Sequence, residues 1–240
     1  MKSRRILIPL GIAAILAAIP VALYFSGAWK PNQPSRIDYP IRGIDISHYQ
    51  GEIQWNKVAA SGIRFAYIKA TEGTDYDDPD FKKNWDAAGA TRFARGAYHF
   101  FTIGAPGKLQ AEHFLSRVLP YDPALPTAID IELTDGRQIE SVAQFQHELS
   151  EFITIVEARL GEPPLIYSSR GFRERYLQGF AVESWWINDV IFTPKQNSGE
   201  RWNFWQYSWR GRIPGIAGFV DLDVFSGSEK DFQNFPVPHK

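Results

Sequence analysis

The sequence contains no cysteine, and this absence excludes several kinds of protein. Disulfide frameworks, thiolate nucleophiles and cysteine-ligated metal sites all require that residue, so an exported form would be stabilised by its core alone. The five histidines show no HxxxH or HxH spacing, and no GxSxG elbow, Walker loop or GxGxxG fingerprint is present. An all-oxygen calcium or magnesium site stays open, although no loop resembles an EF-hand. We expect neither a metal nor another cofactor.

The chain also lacks an excess of positive charge. It has 26 basic and 27 acidic residues, and the first 30 residues carry four of the basic groups and no acid. The remainder therefore has a net charge of −5. Nucleic-acid binding requires a basic patch, so nucleic acid is excluded as a partner.

Only one long apolar run is present, the twenty uncharged residues Ile6–Phe25, which follow Lys2, Arg4 and Arg5. A helix of this length spans about 30 Å, and the basic flank places the N-terminus in the cytoplasm and the remainder outside. A cleaved signal peptide is the alternative, because residues 26–28 are small. We predict an anchor or signal over 1–28, a proline-rich linker over 29–40, and one domain over 41–235.

Short β-like runs alternate with helical stretches from residue 41 onward. The predicted helices are Trp55–Ser61, Pro79–Ala88, Lys108–Val118 and Ile139–Leu160, and beyond residue 168 the helices shorten or vanish. The predicted strands are Ile41–Ile46, Ile63–Ala70, Ala94–Phe101, Pro126–Glu132, Pro164–Ser168, Trp185–Asp189, Asn203–Tyr207 and Gly218–Val224. The pattern predicts an α/β fold, a modified TIM-like barrel with eight strands and reduced helices in its second half.

Carboxylates recur where these strands end, and Asp130-Ile131-Glu132 is the most informative case. On a strand, residues two apart point to the same face, so Asp130 and Glu132 are held together after an apolar run. Crowding and burial raise the pKa of one acid, as a general acid near neutral pH requires. An exposed edge strand with solvated acids is the alternative. Other acids at strand ends are Asp45, Glu72, Asp221 and Asp223.

Aromatic side chains accompany these acids at or near the strand ends. Tyr98, Tyr167, Trp186 and Trp205 offer planes for the apolar faces of sugar rings, although each is equally consistent with core packing. Gln206 and His99 add polar groups, with a core histidine as the alternative for His99. Acids and aromatics at one barrel mouth favour a glycosidase-type site over a metal site.

Several segments together resemble the glycoside hydrolase family 25 lysozymes between about residues 41 and 225. They are Gly43-Ile44-Asp45-Ile46-Ser47-His48-Tyr49-Gln50-Gly51, Ala70-Thr71-Glu72-Gly73, Gly96-Ala97-Tyr98-His99-Phe100, Asp130-Ile131-Glu132, Trp205-Gln206-Tyr207 and Val220-Asp221-Leu222-Asp223. The resemblance implies a modified eight-stranded barrel and N-acetylmuramidase activity on peptidoglycan glycan strands. Two positions depart from it, since many relatives have Trp at Tyr49 and Asn at Asp223.

The same resemblance implies roles for the four candidate catalytic acids. Glu132 would be the general acid, and Asp130 would orient the substrate's own N-acetyl group as internal nucleophile. Asp45 and Asp221 would line the same pocket. Glu72, Tyr98, His99, Tyr167, Trp186, Trp205, Gln206 and Asp223 would bind substrate. We expect a monomeric muramidase, membrane-anchored outside the cytoplasm or secreted after cleavage. A silent glycan-binding module and a glycosidase acting on chitin-like glycan are the alternatives.

Overall fold

The structure, a computed structural model, describes residues 16, 18–91, 93–121, 124–133, 138–194 and 202–235. The described strands are β1 (Arg42–Ile46), β2 (Phe65–Glu72), β3 (Tyr76–Asp77), β4 (Ala94–Phe100), β5 (Ala128–Asp130), β6 (Leu165–Ser169), β7 (Trp185–Asn188), β8 (Trp202–Gly211) and β9 (Val220–Phe225). The α-helices after residue 41 are Trp55–Ala60, Phe81–Gly89, Gly107–Val118, Val142–Leu160, Arg170–Tyr176 and Glu229–Gln233.

The strands close into a barrel. The pairing order is β1-β9-β8-β7-β6-β5-β4-β2, β1 pairs with β2 to complete the ring, and the short β3 extends β2 at one end. The long helices pack outside the first half of the ring, while the described residues that connect β7 to β8 and β8 to β9 form no helix. The predicted TIM-like barrel with eight strands and reduced later helices is therefore confirmed.

The last strand departs from the expected direction. Strand β9 runs antiparallel to both β8 and β1, whereas the other ring pairs are parallel. We define the mouth as the end of the barrel where the parallel strands finish. Because β9 is reversed, it starts at the mouth, and Asp221 lies near the beginning of the last strand. The prediction that Asp221 and Asp223 end that strand is wrong, although both still point toward the barrel axis.

Two apolar clusters divide the core. One fills the lower barrel and includes Phe65, Tyr67, Trp186 and Phe204. The other lies between the barrel and the helices and holds the 3.6-residue stripe of the helix Val142–Leu160. A Cβ atom at Gly96 would lie 2.2 Å from the Tyr67 ring, so this glycine makes room for the large rings inside the barrel.

The predicted linker lies against the barrel over part of its length. The Arg42 guanidinium donates to the Pro34 carbonyl at 2.8 Å, and the Tyr39 ring stacks on Trp202 at 6.0 Å. Most of the run Ile6–Phe25 lies outside the described residues. Within the described part of this run, residues 18–25 are helical. Among the residues that the structure describes, none of the helices combines the length and apolar character that a bilayer crossing requires.

Candidate active site

Strand alternation brings three sequence-predicted acids to the mouth from two separate parts of the ring. Asp45 faces Asp221 directly across the β1–β9 pair, and Asp130 is the last residue of β5. Directly paired residues on two strands point to the same face, so Asp45 and Asp221 share the barrel interior. Glu132 follows two residues after β5, outside the regular strand that the sequence predicted for it.

The backbone after β5 keeps the extended alternation that orients Glu132. The Ile131 amide donates to the Tyr167 carbonyl at 3.0 Å, and the Ile131 side chain is fully buried on the helix side. Glu132 therefore points to the same side as Asp130. Asn188 Nδ2 lies 3.5 Å from Glu132 Oε1, and Glu132 also borders an open groove of 370 Å³.

Burial raises the pKa of each of these carboxyl groups. For Glu132 the largest cause is burial, and the negative charge of Asp45 adds to it. For Asp130 the causes are burial, then the charges of Glu132 and Asp45, and its pKa lies well above the ordinary range. Acids this close cannot all ionise, so several protons stay in the cluster at neutral pH.

Asp45 is the carboxyl group best suited to carry the negative charge. It accepts a hydrogen bond from Gln206 Nε2 at 2.9 Å, and the carboxyl groups of Asp221 and Asp223 are within hydrogen-bonding reach. These contacts oppose the rise in pKa that burial causes at Asp45, while they raise the pKa of Asp221 and Asp223 further. We infer that Asp45 ionises first and that its two neighbours stay protonated.

A neutral hydrogen-bond network fixes the wall beside Asp45. The Tyr167 hydroxyl donates to Gln206 Oε1 at 2.8 Å and accepts from Asn188 Nδ2 at 2.8 Å. Trp209 Nε1 donates to the same Gln206 oxygen at 3.0 Å, and the other end of the Gln206 amide donates to Asp45. Gln206 is buried, so its amide holds the Asp45 carboxylate and the Tyr167 ring in one orientation.

Trp186 and Asp223 form the floor of the site. Trp186 Nε1 donates to Asp223 Oδ1 at 2.8 Å, and both side chains are almost fully buried. The Trp186 ring contacts Tyr67 and Tyr167 inside the barrel. A buried indole offers no face to a sugar, and the Asp223 carboxyl group is equally enclosed, so neither side chain is open to substrate as the sequence predicted.

Two of the predicted substrate-binding residues face away from the mouth. His99 is fully buried, lies 4.9 Å from the Phe152 ring, and its ring nitrogens contact Thr71 Oγ1 at 2.8 Å and Gln110 Oε1 at 3.1 Å. Burial lowers the pKa of His99 to about 3. Trp205 is also fully buried, with Nε1 donating to the Asp189 carbonyl at 2.8 Å. The neighbouring residues Tyr98 and Gln206 take the interior positions, so the predicted substrate contacts of His99 and Trp205 are wrong.

Two polar residues of the mouth, Lys69 and Asn188, are not among those predicted from the sequence. Lys69 Nζ lies 2.6 Å from Glu72 Oε2 and 4.8 Å above the Phe100 ring, and its charge opposes the rise in the pKa of Asp130. Asn188 contacts both Glu132 and Tyr167. Both side chains point to the barrel interior by strand alternation. The same alternation in the sequence could have identified them as residues of the mouth. Glu72 is partly exposed at the rim, and Tyr98 is buried beside the acids, whose charges raise its pKa further after burial.

The described part of the chain holds no group of three or more His, Cys, Asp or Glu side chains arranged to bind a metal ion. The groups that line the mouth are carboxyl groups beside neutral amides and a phenol. Such a site can donate a proton from Glu132 and stabilise a developing positive charge with Asp45.

Comparisons with known proteins agree on one family. The family described as "Glycosyl hydrolases family 25" matches residues 44–216. The chain is 34% identical to the uncharacterized protein YegX of Escherichia coli O157:H7, over 98% of this chain and 94% of that protein. It is 36% identical to Lysozyme M1 of Streptomyces globisporus, over 78% of this chain and 68% of that protein. The structure of a family 25 glycosyl hydrolase from Bacillus anthracis matches with a TM-score of 0.79 and 34% identity, over 86% of this chain and 97% of that one.

Proposed function

This chain belongs to glycosyl hydrolases family 25 and is a glycoside hydrolase, and we propose that it cuts the β-1,4 bond after N-acetylmuramic acid in peptidoglycan. The observation that carries the proposal is the position of Glu132. Its carboxyl group has a raised pKa, sits in the acid cluster and borders an open groove. A relative of 36% identity named Lysozyme M1 supports the same activity.

We assign the proton transfer to Glu132. A general acid must be protonated when substrate binds, and burial together with the charge of Asp45 favours the protonated form of Glu132. It would protonate the glycosidic oxygen as the bond to the leaving sugar breaks. Asn188 and Tyr167 favour the ionised form, and so they would stabilise the carboxylate that remains after the transfer.

Asp130 and Asp45 would act on the other sugar of the scissile bond. One Asp130 oxygen is buried and has no hydrogen-bond partner among the described residues, so it is free to accept from a substrate N–H group. Accepting from the N-acetyl N–H would orient the acetamido oxygen for attack on the anomeric carbon, and this assistance replaces a protein nucleophile. The ionised Asp45, held by Gln206, would stabilise the positive charge that develops on the ring.

The remaining predicted contacts are assigned by exposure. Glu72 at the rim is accessible to sugar hydroxyl groups, and Tyr98 and Tyr167 form the inner wall beside the acids. Asp221 would share a proton with Asp45, and the negative charge that this pair keeps would favour the protonated form of Glu132.

We further propose that the enzyme works outside the cytoplasm, where its polymer is found. The supporting feature is the uncharged run Ile6–Phe25 behind three basic residues, which suits a membrane anchor or a signal segment. The proposal includes a monomer, because one barrel holds all the acids assigned above.

The experiment is hydrolysis by the full chain, purified in mild detergent. Turbidity loss of purified peptidoglycan is followed, and the released muropeptides are analysed for N-acetylmuramic acid at the new reducing end. Chitin oligosaccharides are run in parallel, and Glu132→Gln is the control for contaminating hydrolases. New N-acetylglucosamine reducing ends, or cleavage of chitin alone, would contradict the muramidase proposal. Binding without hydrolysis would indicate a silent glycan-binding module.

A further inference from the structure

The groove beside Glu132 has one wall that the catalytic assignment does not use. It is lined by Glu132, Leu133, Ser169, Gly171, Phe172, Arg175 and Tyr176, and its volume is 370 Å³. A volume of this order is within the range of small-ligand sites. The wall is the helix Arg170–Tyr176, which starts directly after β6 at the mouth. A group in this groove would therefore lie beside the Glu132 carboxyl group.

Arg175 gives the groove its charge. Among the three arginines of this helix, Arg170 pairs with Asp189, and Arg173 is buried against the Trp185 ring. Arg175 is exposed, its guanidinium carbon lies 5.2 Å from the Tyr176 ring centre, and no carboxylate of the described residues pairs with it. The other charged side chain of the lining is Glu132, which is neutral in its acid form. The groove therefore presents a single positive charge and favours an anionic group.

Gly171 borders open space in the groove. A Cβ atom at this position would meet no heavy atom within 4 Å, so the space beside it is empty. Gly171 and Arg175 are four residues apart on the helix and so lie on the same face. Ser169 adds a hydroxyl at the inner end, where it also caps the helix by accepting from the Phe172 amide at 3.3 Å.

We propose that this groove receives the 3-O-lactyl substituent of N-acetylmuramic acid and that Arg175 binds a carboxylate on it. The inference rests on the proposed muramidase function and deepens it. N-acetylmuramic acid differs from N-acetylglucosamine by this lactyl ether, which ends in a carboxyl group or continues into an acidic peptide stem. Arg175 is thus a specificity-determining residue, which selects peptidoglycan over chitin-like glycan by its charge.

The test compares three substrates with the full-length protein. They are peptidoglycan with its peptide stems, the same glycan after an amidase has removed the stems, and chitin oligosaccharides. Wild-type cleavage of either peptidoglycan form establishes the activity, so failure at this stage overturns the muramidase proposal before any variant is compared. The proposed role of the groove is then tested by the ratio of the variant rate to the wild-type rate on each substrate.

For Arg175→Ala we expect kcat/KM on peptidoglycan to fall about 3- to 10-fold, mostly through KM, because one charge-assisted contact is lost. Arg175→Lys should restore part of the loss, and the effect should shrink at high salt. Arg159→Ala is the matched control, since it removes an exposed arginine from the C-terminal turn of the helix before β6, at the end of the barrel opposite the mouth. Loss on the stem-bearing form alone assigns the contact to a carboxylate of the stem, and loss on the amidase-treated form alone assigns it to the freed lactyl carboxylate. Loss on both forms shows that Arg175 binds whichever of these carboxylates is present.

Gly171→Leu tests the space rather than the charge. The added side chain should fill the groove and raise KM for peptidoglycan, while thermal unfolding stays near that of wild type because no atom is displaced. The inference is overturned if Arg175→Ala matches wild type on both peptidoglycan forms, or if it slows chitin cleavage by the same factor.

Discussion

Asp45 on β1 and Asp221 on β9 face each other directly across an antiparallel strand pair at the mouth of the barrel. Like charges at directly paired positions repel, and the buried carboxyl of Asp221 has a pKa well above the ordinary range, chiefly through burial and then through Asp45. The pair therefore shares a proton at neutral pH. This sharing leaves Asp45 as the main negative charge acting on Glu132.

Replacing Glu132 with glutamine removes the transferable proton and keeps the size of the side chain. We expect kcat to fall by about 10²- to 10⁴-fold while thermal unfolding is nearly unchanged. Glu162→Gln is a matched control, because burial raises the pKa of Glu162 to about 7 at the end of the barrel opposite the mouth. The kcat values of both variants are measured with peptidoglycan as substrate. Near-normal activity of Glu132→Gln would show that Glu132 is not the general acid.

Replacing Asp45 with asparagine should change the pH profile. A general acid works in its protonated form, so the alkaline limb of kcat/KM reports the pKa of Glu132 as part of the coupled group. Because the charge of Asp45 raises that pKa, its removal should move the alkaline limb to lower pH. The pH dependence of the residual kcat/KM of Asp45→Asn measures this shift. The control variant Glu162→Gln should leave the alkaline limb at its wild-type pH. An unmoved limb in Asp45→Asn would contradict the coupling.

Replacing Asp223 with asparagine should stabilise the protein at neutral pH. Burial and then Asp45 raise the pKa of Asp223 well above its unfolded value near 3.9. Between these two values the folded state holds a proton that the unfolded state releases, so stability falls as pH rises through this window. Asparagine does not titrate, and its oxygen can still accept from Trp186.

We expect Asp223→Asn to raise the free energy of unfolding by about 2 kcal/mol at pH 7, or about 4–8 °C in the melting temperature. The gain should vanish near pH 4. Thermal unfolding at several pH values measures this, with Glu174→Gln on an exposed helix position as control. A variant that melts below wild type at pH 7 would contradict the protonated state inferred for Asp223.

Replacing His99 with leucine should affect stability and leave substrate binding alone. The loss of its contacts with Thr71 and Gln110 should cost about 2–3 kcal/mol at pH 7, while KM stays within about twofold. The folded pKa of His99 is about 3, against about 6.5 when unfolded, so the stability that depends on neutral His99 is lost as pH falls from 6.5 towards 3. Denaturant unfolding at pH 7 and pH 5 measures this. The difference in the free energy of unfolding between wild type and His99→Leu should be smaller at pH 5 than at pH 7. A large rise in KM would restore His99 as a substrate-binding residue.

The N-terminal run predicts the cellular location. Twenty uncharged residues behind three basic ones should keep the full chain with membranes and place the barrel on the outer side. Cell fractionation, protease accessibility and N-terminal sequencing measure this together. A mature chain beginning near Trp29 would show cleavage, and a full chain in the cytosolic fraction would contradict export.

The sequence by itself determined the barrel and most of its acids, because the deciding signals are local. Alternation along β1 and β5 fixes which residues share a face, so Asp45 and the pair Asp130 and Glu132 could be predicted as interior groups. The helices were visible as apolar stripes, and their shortening or loss after residue 168 indicated the altered second half of the barrel.

Tertiary structure decided what alternation leaves undefined, namely strand direction and which face becomes the interior. Asp221 reaches the mouth because β9 runs antiparallel to both neighbours, and its own sequence carries no signal for that direction. His99 and Trp205 face the helices since Tyr98 and Gln206 take the interior, a choice made by how neighbouring strands pack. A single sequence specifies a two-residue period, and only the closed ring fixes its phase relative to the core.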